Sequence, residues 1–254
     1  MISEISQIEV CNVSFAFPNA VGRGSEAILR DISFVVNRGE LLCLVGESGC
    51  GKTTLLQIIA GLLKPKKGEI NIHQHASDNG AVVPCTIVFQ DLNLFYWQTA
   101  LGNVKVSLRA RGVPEPERTT LGLALLQKVN LSGFQDYYPH ELSGGMSQRL
   151  ALARALATNA SILLLDEPFS DLDEKTRRAL EEDLLRLRSE TCLTVVMVTH
   201  DLRQAVRLGD RVVVLAGRPA QIQCMEKIEL LRPRNEEEEL FKTKEKLLCT
   251  HLTT

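Results

Sequence analysis

Eight consecutive residues, Gly46 to Thr53, carry the strongest chemical signal in the chain. Their sequence, GESGCGKT, fits the pattern G-x-x-x-x-G-K-[ST], and it follows the apolar run LLCLV at residues 41–45. A strand that leads through such a turn into a helix leaves several backbone N–H groups pointing into one concavity, where the helix dipole also favours negative charge. The motif therefore predicts a site for the phosphates of a nucleoside triphosphate.

Residues of this loop have distinct predicted roles. The glycines allow the backbone to close around the phosphates, Lys52 reaches the β- and γ-phosphate oxygens, and the Thr53 hydroxyl ligates Mg²⁺. Cys50 lies at the mouth of the helix, where a thiolate would be favoured; the alternative is an inert, packed thiol. The residues expected to contact the nucleotide through this loop are Gly46, Glu47, Ser48, Gly49, Cys50, Gly51, Lys52, Thr53 and Thr54.

A second chemical signal is a pair of adjacent carboxylates. The string ILLLDEP at residues 162–168 is an apolar strand that ends in Asp166 and Glu167, at the strand end where ligands bind in open α/β sheets. Asp166 can hold magnesium through water, and Glu167 can polarise an attacking water. Alone, the string would fit an ordinary strand that ends in acidic turn residues, but the phosphate loop favours the catalytic interpretation.

The string LSGGMSQR at residues 142–149 predicts another anion site, because Ser143, Gly144 and Gly145 open a helix. One triphosphate cannot use both phosphate sites within a monomer if they belong to separate subdomains. A head-to-tail dimer that sandwiches ATP is therefore the economical arrangement.

The elements that must position these residues alternate between apolar strands and helices, which indicates a parallel sheet covered on both faces. Strands are predicted at 8–17, 32–36, 41–45, 69–72, 85–89, 161–165, 193–199 and 211–216, and helices at 53–63, 99–111, 117–129, 145–157 and 174–188. Residues 18–24 are predicted to form a loop, and 73–84 an exposed excursion. We expect one α/β domain over 1–254. Its P-loop NTPase core (about 1–90 and 160–220) has a mainly parallel sheet and an N-terminal antiparallel β portion. A helical subdomain (about 91–159) is inserted into the core, and a tail (about 221–254) follows it.

Composition narrows the class of partner. The net charge is -2 with a pI of about 6.2, so no basic field favours nucleic acid, and nucleic acid is not an expected partner. No uncharged apolar run approaches the ~18 residues of a membrane span, and the N-terminus lacks a cationic and apolar leader pattern, so we expect neither spanning nor export. The seven cysteines are scattered singly, which favours reduced thiols in a cytoplasm over disulfides or metal ligation.

In order and spacing, these motifs over about residues 5–220 resemble those of the ATP-binding subunit of an ABC transporter. The resemblance implies that Gln90, at the joint between core and helical subdomain, touches Mg²⁺ and reports on the transmembrane partner. It implies that His200 contacts the γ-phosphate, that residues 170–173 cross the dimer interface, and that Phe17 stacks on adenine. It also implies ATP and Mg²⁺ as cofactors and ATP hydrolysis as the activity.

The chain departs from the family pattern at three positions. Phe17 stands where the family often has Tyr, Asp171 adds a charge near the expected dimer interface, and Tyr96 replaces a frequent Pro. The string LFYWQTALGNV at residues 94–104 looks most like that of nitrate, sulfonate, taurine and thiamine-precursor importers. We expect Phe95, Tyr96 and Trp97 to form an exposed aromatic patch that receives a permease helix; the alternative is that Trp97 packs inside the helical subdomain.

The resemblance therefore implies an importer ATPase at the cytoplasmic face of the cell membrane. Its implied partners are a second copy of itself, two transmembrane permease subunits and, indirectly, an extracytoplasmic solute-binding protein. The alternative is a soluble ABC-type ATPase acting on the ribosome or DNA. Ribosomal members carry two cassettes and DNA-repair members insert a long coiled coil, whereas here only 89 residues separate Thr54 from Ser143. A P-loop kinase or GTPase does not fit the Ser143–Gly145 string. The tail from Arg232 is predicted to be a terminal helix, solvated or docked.

Overall fold

The computed structural model describes residues 5–17, 26–73 and 84–252. These residues divide into two compact units: the first comprises the described residues up to His73 and from Thr194 onward, and the second comprises residues 84–193. The predicted loop at 18–24 and most of the predicted excursion at 73–84 lie outside the described residues.

An antiparallel sheet forms the N-terminal part of the first unit. Its strands are β1 (Ser6–Ala16), β2 (Ala27–Asn37) and β4 (Lys67–Ile72), in the order β2-β1-β4. Strand β2 begins earlier than predicted, because its first residues still pair with β1, with Leu29 opposite Phe15. The antiparallel portion predicted from sequence is therefore present.

A second, mostly parallel set of strands carries the phosphate loop. In it, β3 (Leu41–Gly46) pairs in parallel with both β7 (Thr194–Thr199) and β8 (Arg211–Ala216), and β9 (Gln221–Lys227) pairs antiparallel with β8. Every residue of β3 and β7 is buried, which explains why their sequences are continuous apolar runs without alternation.

Helix α1 (Lys52–Ile59) follows the phosphate loop and contacts β3 and β7. It buries Leu55, Leu56, Ile58 and Ile59, but it ends four residues before the predicted Leu63. Gly61 has φ 74, a left-handed conformation that ends helices, and Leu62 beyond it is 58% exposed. The prediction extended the helix through a glycine that terminates it.

Two helices complete the first unit. Helix α6 (Leu202–Leu208) was not predicted, and it packs on β3 and β7. Helix α7 (Glu239–Thr250) is the predicted tail helix. It is docked rather than solvated, because Phe241 and Leu248 are buried and the helix packs on α6.

The second unit combines a parallel strand pair with a group of helices. Strand β5 (Cys85–Val88) pairs with β6 (Ile162–Asp166), and the helices are α2 (Ala100–Ala110), α3 (Glu117–Lys128), α4 (Gly144–Leu156) and α5 (Glu174–Thr191). A short 3-10 turn spans Pro139–Glu141. Helix α2 packs on α3 and α4, and α4 packs on α5 and β5. In the described part of the chain, no helix has the length and apolar character needed to cross a membrane.

Candidate active site

The Lys52 side chain is held inside the phosphate loop. Its Nζ donates hydrogen bonds to the carbonyl oxygens of Gly46 and Glu47, both at 2.8 Å, and the residue is only 5% exposed. These two bonds anchor the ammonium nitrogen of Lys52 within the loop. The loop therefore has a fixed positive charge where phosphate oxygens would bind.

The glycines of the loop are required for different reasons. A Cβ on Gly46 would lie 2.5 Å from the carbonyl oxygen of Leu215 on β8, so only glycine lets the two strands approach. Gly51 has φ 108, and a Cβ there would lie 2.8 Å from Cγ2 of Ile28. Gly49 has φ 77 but faces open space, so its requirement is conformational.

The expectation that Cys50 favours the thiolate is wrong. Burial raises the pKa of the Cys50 thiol, and this effect outweighs the lowering caused by Lys52 and the backbone amides. The side chain is packed against the loop itself, since a Cβ on Gly46 would lie 2.8 Å from the Cys50 Sγ. The Cys50 thiol therefore packs against the backbone of the phosphate loop.

His200 lies at the same strand edge as the phosphate loop. In the parallel pairing of β3 and β7, Val45 is opposite Thr199, so the next residues, Gly46 and His200, lie at the same end of the two strands. His200 is exposed, whereas Thr199 is buried and its Oγ1 accepts a hydrogen bond from the backbone N–H of Asp201 at 3.0 Å. The sequence prediction that placed His200 at the nucleotide is compatible with this geometry.

Phe17 is connected to the loop through two further side chains. Its ring is 46% exposed and meets the buried Phe15 edge to face, with centroids 5.0 Å apart and planes at 89°. Phe15 pairs with Leu29 on β2, and Leu29 Cδ2 lies 2.9 Å from the position of a Cβ on Gly51. One face of the Phe17 ring is thus presented near β2, the strand against which Gly51 of the phosphate loop packs.

In the second unit, the structure brings the two carboxylates and Gln90 to one edge of the strand pair. Val88 is opposite Leu165 in the parallel pairing, so Gln90 and Asp166 both follow closely after paired residues. Asp166 is buried, Glu167 is half-buried, and Gln90 is exposed. Oxygen donors of this kind suit Mg²⁺.

The backbone at Glu167 is strained. Its φ is 45, in the left-handed region that residues other than glycine seldom adopt. The carbonyl oxygen of Glu167 accepts from the N–H and the hydroxyl of Ser170, at 3.4 and 3.2 Å, which closes the turn. Strain of this type concentrates at functional positions because it fixes the direction of a side chain.

The start of α4, the predicted anion site, also allows the close approach of α5. The Ser143 hydroxyl accepts a hydrogen bond from the Met146 N–H at 3.3 Å, as a helix cap does. Gly144 is exposed, but Gly145 is buried, and a Cβ there would lie 2.5 Å from Cγ2 of Thr176 on α5. Sequence reasoning assigned Gly145 to phosphate alone and missed this packing role.

The aromatic segment that follows Gln90 is a surface feature. Tyr96 is 63% and Trp97 73% exposed, so the alternative in which Trp97 packs inside the subdomain is wrong. Trp97 contacts Phe95, with ring centroids 5.4 Å apart, and the Arg154 guanidinium lies 5.4 Å from the Phe95 ring centroid.

One buried side chain that sequence reasoning overlooked holds this segment. The Asn103 Oδ1 accepts from the Phe95 N–H at 2.8 Å, and its Nδ2 lies 3.1 Å from the Phe95 carbonyl oxygen. The same nitrogen lies 3.2 Å from the Gln98 and 3.1 Å from the Thr99 carbonyl oxygens. Because Asn103 is completely buried, these bonds fix the backbone that presents the exposed rings.

Among residues 5–17, 26–73 and 84–252, no group of three or more His, Cys, Asp or Glu side chains could hold a metal ion by itself. Magnesium commonly binds through one or two carboxylates together with substrate phosphates and water. The magnesium ligands predicted from sequence, Thr53, Gln90 and Asp166, stay a prediction.

Comparison with known proteins gives concordant results. The family model described as ABC transporter matches residues 29–170. The nitrate import ATP-binding protein of Synechocystis sp. is 43% identical over 202 residues, which cover 79% of this chain and 75% of that protein. The aliphatic sulfonates import ATP-binding protein of Bacillus licheniformis is 38% identical over 238 residues, which cover 92% of each chain. A dimeric, post-hydrolysis structure of an ATP-binding cassette bound to ADP and Pi aligns with a TM-score of 0.75 and 33% identity, covering 88% of this chain and 100% of that one.

The predicted fold class, family and enzyme class are therefore confirmed. The α/β fold, with its antiparallel N-terminal sheet, and the match of the family model over more than half of the chain lead to the same assignment. The chain belongs to the ABC transporter family, as an ATP-binding cassette that hydrolyses ATP.

Proposed function

We propose that this chain is the ATPase subunit of an ABC importer and that it acts as a head-to-tail dimer on two transmembrane permease subunits. The observation that carries the proposal is an ordered phosphate loop in a chain that also presents a rigid, exposed aromatic surface at Tyr96 and Trp97. Relatives named for nitrate and sulfonate import support the direction of transport. The solute is selected by the permease and by an extracytoplasmic solute-binding protein, and the chain works at the cytoplasmic face of the membrane.

Each residue has one role in the proposed reaction. Lys52 and His200 bind the β- and γ-phosphates, and Phe17 stacks on the adenine. Glu167 orients the attacking water and accepts its proton, and its strained backbone fixes the direction of the carboxylate. Ser143 of the partner subunit closes the site over the γ-phosphate.

Magnesium completes the proposed site. Thr53, Gln90 and Asp166 would hold the ion. When bound, Mg²⁺ would neutralise the negative charge that develops during phosphoryl transfer. Most catalysis of this reaction comes from positioning and electrostatics, so the residues need little covalent chemistry.

The permease contact is proposed at Tyr96 and Trp97. Large exposed aromatic rings are unusual on a free surface and are typical anchors of protein interfaces. Because Asn103 fixes the backbone on both sides of Trp97, the rings are pre-organised, and binding costs less conformational entropy.

The proposal is tested by co-purification from membranes of cells that express the tagged chain. We expect a polytopic membrane protein to co-purify with wild type and to be lost with Trp97→Ala, while both proteins bind ATP. Asn103→Ala should weaken capture as well, although it leaves both aromatic rings in the chain. Co-sedimentation with ribosomes or retention on DNA, without a membrane partner, would support the soluble alternative instead.

A further inference from the structure

Arg234 attaches the segment after β9 to the C-terminal end of α6. Arg234 Nη1 lies 2.6 Å from the carbonyl oxygens of Val206 and Gly209, and 3.3 Å from that of Arg207. The same side chain donates from Nε to Leu230 and from Nη2 to Ile228, both at 3.0 Å. Arg234 thus joins the last turn of α6 to the beginning of the chain that follows β9. We call residues 228–250 the C-terminal segment.

A second arginine of the C-terminal segment supports the same helix end. Arg232 Nη2 donates to the Leu208 carbonyl oxygen and forms an ion pair with Asp210 at 2.7 Å. The last carbonyls of a helix have no partners within the helix, and positive side chains near them also oppose the negative end of its dipole. The end of α6 is therefore capped by side chains from a distant part of the sequence.

Helix α6 needs such support because it is short. It has seven residues, and isolated helices below about 12–15 residues are marginal in water. At its first turn, the Asp201 side chain accepts from the Gln204 N–H at 3.1 Å. The helix is thus fixed at its start by Asp201 and at its end by Arg234.

The support of α6 bears on the proposed ATPase site through the residue that precedes the helix. His200 immediately precedes the capping residue Asp201, and its side chain is exposed. Its backbone lies between buried Thr199, at the end of β7, and Asp201, which caps α6. A shift of α6 along its axis would therefore move the His200 imidazole directly.

We propose that Arg234 is a positioning residue for His200, so that the C-terminal segment is a working part of the ATPase site. The inference rests on the proposed role of His200 at the γ-phosphate. Removal of the guanidinium frees the end of α6, and His200 then samples positions away from the phosphate. Misplacement by about 1 Å can cost on the order of 100-fold in rate.

The test is a double-mutant cycle of ATP hydrolysis with Arg234→Met and His200→Ala, measured by steady-state kinetics. Arg234→Met keeps most of the length of the side chain and removes all of its hydrogen-bond donors. Alone, it should lower kcat about tenfold or more, with a smaller change in KM. In the His200→Ala background, the same substitution should have little further effect, because the interaction that it supports is already lost.

A matched control separates the positioning of His200 by Arg234 from a general loosening of the C-terminal segment. Lys244→Met removes an ion pair with Glu226 that ties α7 to β9 and does not involve α6. It should leave kcat unchanged. Arg234→Lys should give an intermediate kcat, since an ammonium has fewer donors and no planar fork.

A spectroscopic readout follows the imidazole itself. With histidine side chains isotopically labelled, the five histidines give five NMR signals, and His200→Ala identifies the one of interest. Arg234→Met should shift or broaden the His200 signal and leave that of His140, in the other unit, in place. This measurement needs no activity, so it remains decisive when the variant hydrolyses ATP too slowly.

The outcomes distinguish the two proposals. Equal losses from Arg234→Met in the wild-type and His200→Ala backgrounds, or an unchanged His200 signal, would overturn the positioning role. A wild-type rate for His200→Ala would instead remove His200 from the proposed reaction.

Discussion

Arg149 donates hydrogen bonds from Nε and Nη2 to the same carboxylate oxygen of Asp183, at 3.2 and 3.0 Å. The other oxygen of Asp183 accepts from Asn130 at 2.9 Å and from Arg186 at 3.1 Å. The Asp183 side chain is only 11% exposed. This network fixes α4, whose first residues form the predicted anion site, against α5.

Asp183→Ala should therefore destabilise the protein strongly. The substitution leaves Arg149 without its carboxylate in a largely buried place, and removal of one partner of such a pair costs roughly 3 kcal/mol. The free energy of unfolding, measured by urea denaturation followed by circular dichroism, gives the value. Glu190→Gln removes the exposed ion pair with Arg186 and should cost less than about 1 kcal/mol. Equal losses of unfolding free energy for Asp183→Ala and Glu190→Gln would contradict the structural role given to Asp183.

Gly145→Ala should reduce stability, whereas Gly144→Ala should not. The new methyl group at position 145 would lie 2.5 Å from Cγ2 of Thr176, but the nearest atom to one at 144 is Leu172 Cδ2, at 3.5 Å. Overpacking of this kind costs about 1–3 kcal/mol. Melting temperatures without nucleotide measure the difference. Thr176→Ser, which removes the clashing methyl, should restore stability to the Gly145→Ala protein, and a failure to do so would locate the strain elsewhere.

Glu167→Gln should bind ATP and hydrolyse it about 10²–10⁴-fold more slowly. The substitution keeps the side-chain volume and removes the base, while the contacts from Lys52, Thr53 and the backbone remain. The ATP-bound dimer should then accumulate, visible as a shift from monomer to dimer in sedimentation velocity. Wild type with ADP should stay monomeric.

Two further variants control this experiment. Ser143→Arg in the Glu167→Gln background should abolish the dimer, because a bulky side chain fills the partner's phosphate site. Glu182→Gln, a change at an exposed glutamate on α5, should hydrolyse ATP like wild type. Hydrolysis at the wild-type rate by Glu167→Gln would exclude that carboxylate from the mechanism.

Trp97→Ala should leave the isolated chain as stable as wild type. The indole is 73% exposed, and substitutions at such positions usually change stability by less than about 0.5 kcal/mol. The melting temperature measures this, and the buried Leu94 in the same segment supplies the comparison, since Leu94→Ala should lower it clearly. A large decrease for Trp97→Ala would mean that the ring supports the fold.

Cys50 should react slowly with alkylating reagents. Because burial raises the pKa of its thiol, the thiolate fraction is small at neutral pH, and the rate should still increase as pH rises above the usual range for a cysteine. Peptide mass spectrometry after timed labelling should find the exposed Cys192 and Cys249 modified first. ATP should slow the labelling of Cys50 further. Faster labelling of Cys50 than of Cys192 at pH 7 would contradict the buried thiol.

The parts of the fold that were predictable are those with a strong local signal. The apolar runs of β3, β6 and β7 are buried throughout, and such strands are recognisable because neither face is polar. The helix ends were less accurate, since the apolar pattern at Leu62 and Leu63 continues past the glycine that ends α1.

Two elements escaped prediction for physical reasons. Helix α6 has only seven residues, too few to show a helical period, and it depends on packing against β3 and β7 and on contacts with the C-terminal segment. Strand β9 alternates between exposed and half-buried residues and includes charged ones, so it has no apolar run.

Within the site, residue types were predictable and supporting contacts were not. The motif identifies Lys52, but it does not show that the ammonium is held by two carbonyl oxygens of the loop. Arg234 and Asn103 bind mainly backbone carbonyls, which every residue has, so no sequence pattern marks their targets.

Because the backbone at Glu167 is left-handed, selection for heat resistance alone would favour the replacement of this glutamate. A residue with φ 45 that is not glycine carries a conformational cost of about 1–3 kcal/mol, which glycine would remove and asparagine would reduce. A library screened only for survival on heating would therefore enrich replacements at the one carboxylate proposed to activate water. In the proposed mechanism, the chain keeps a glutamate for its chemistry at a position whose backbone conformation suits glycine better.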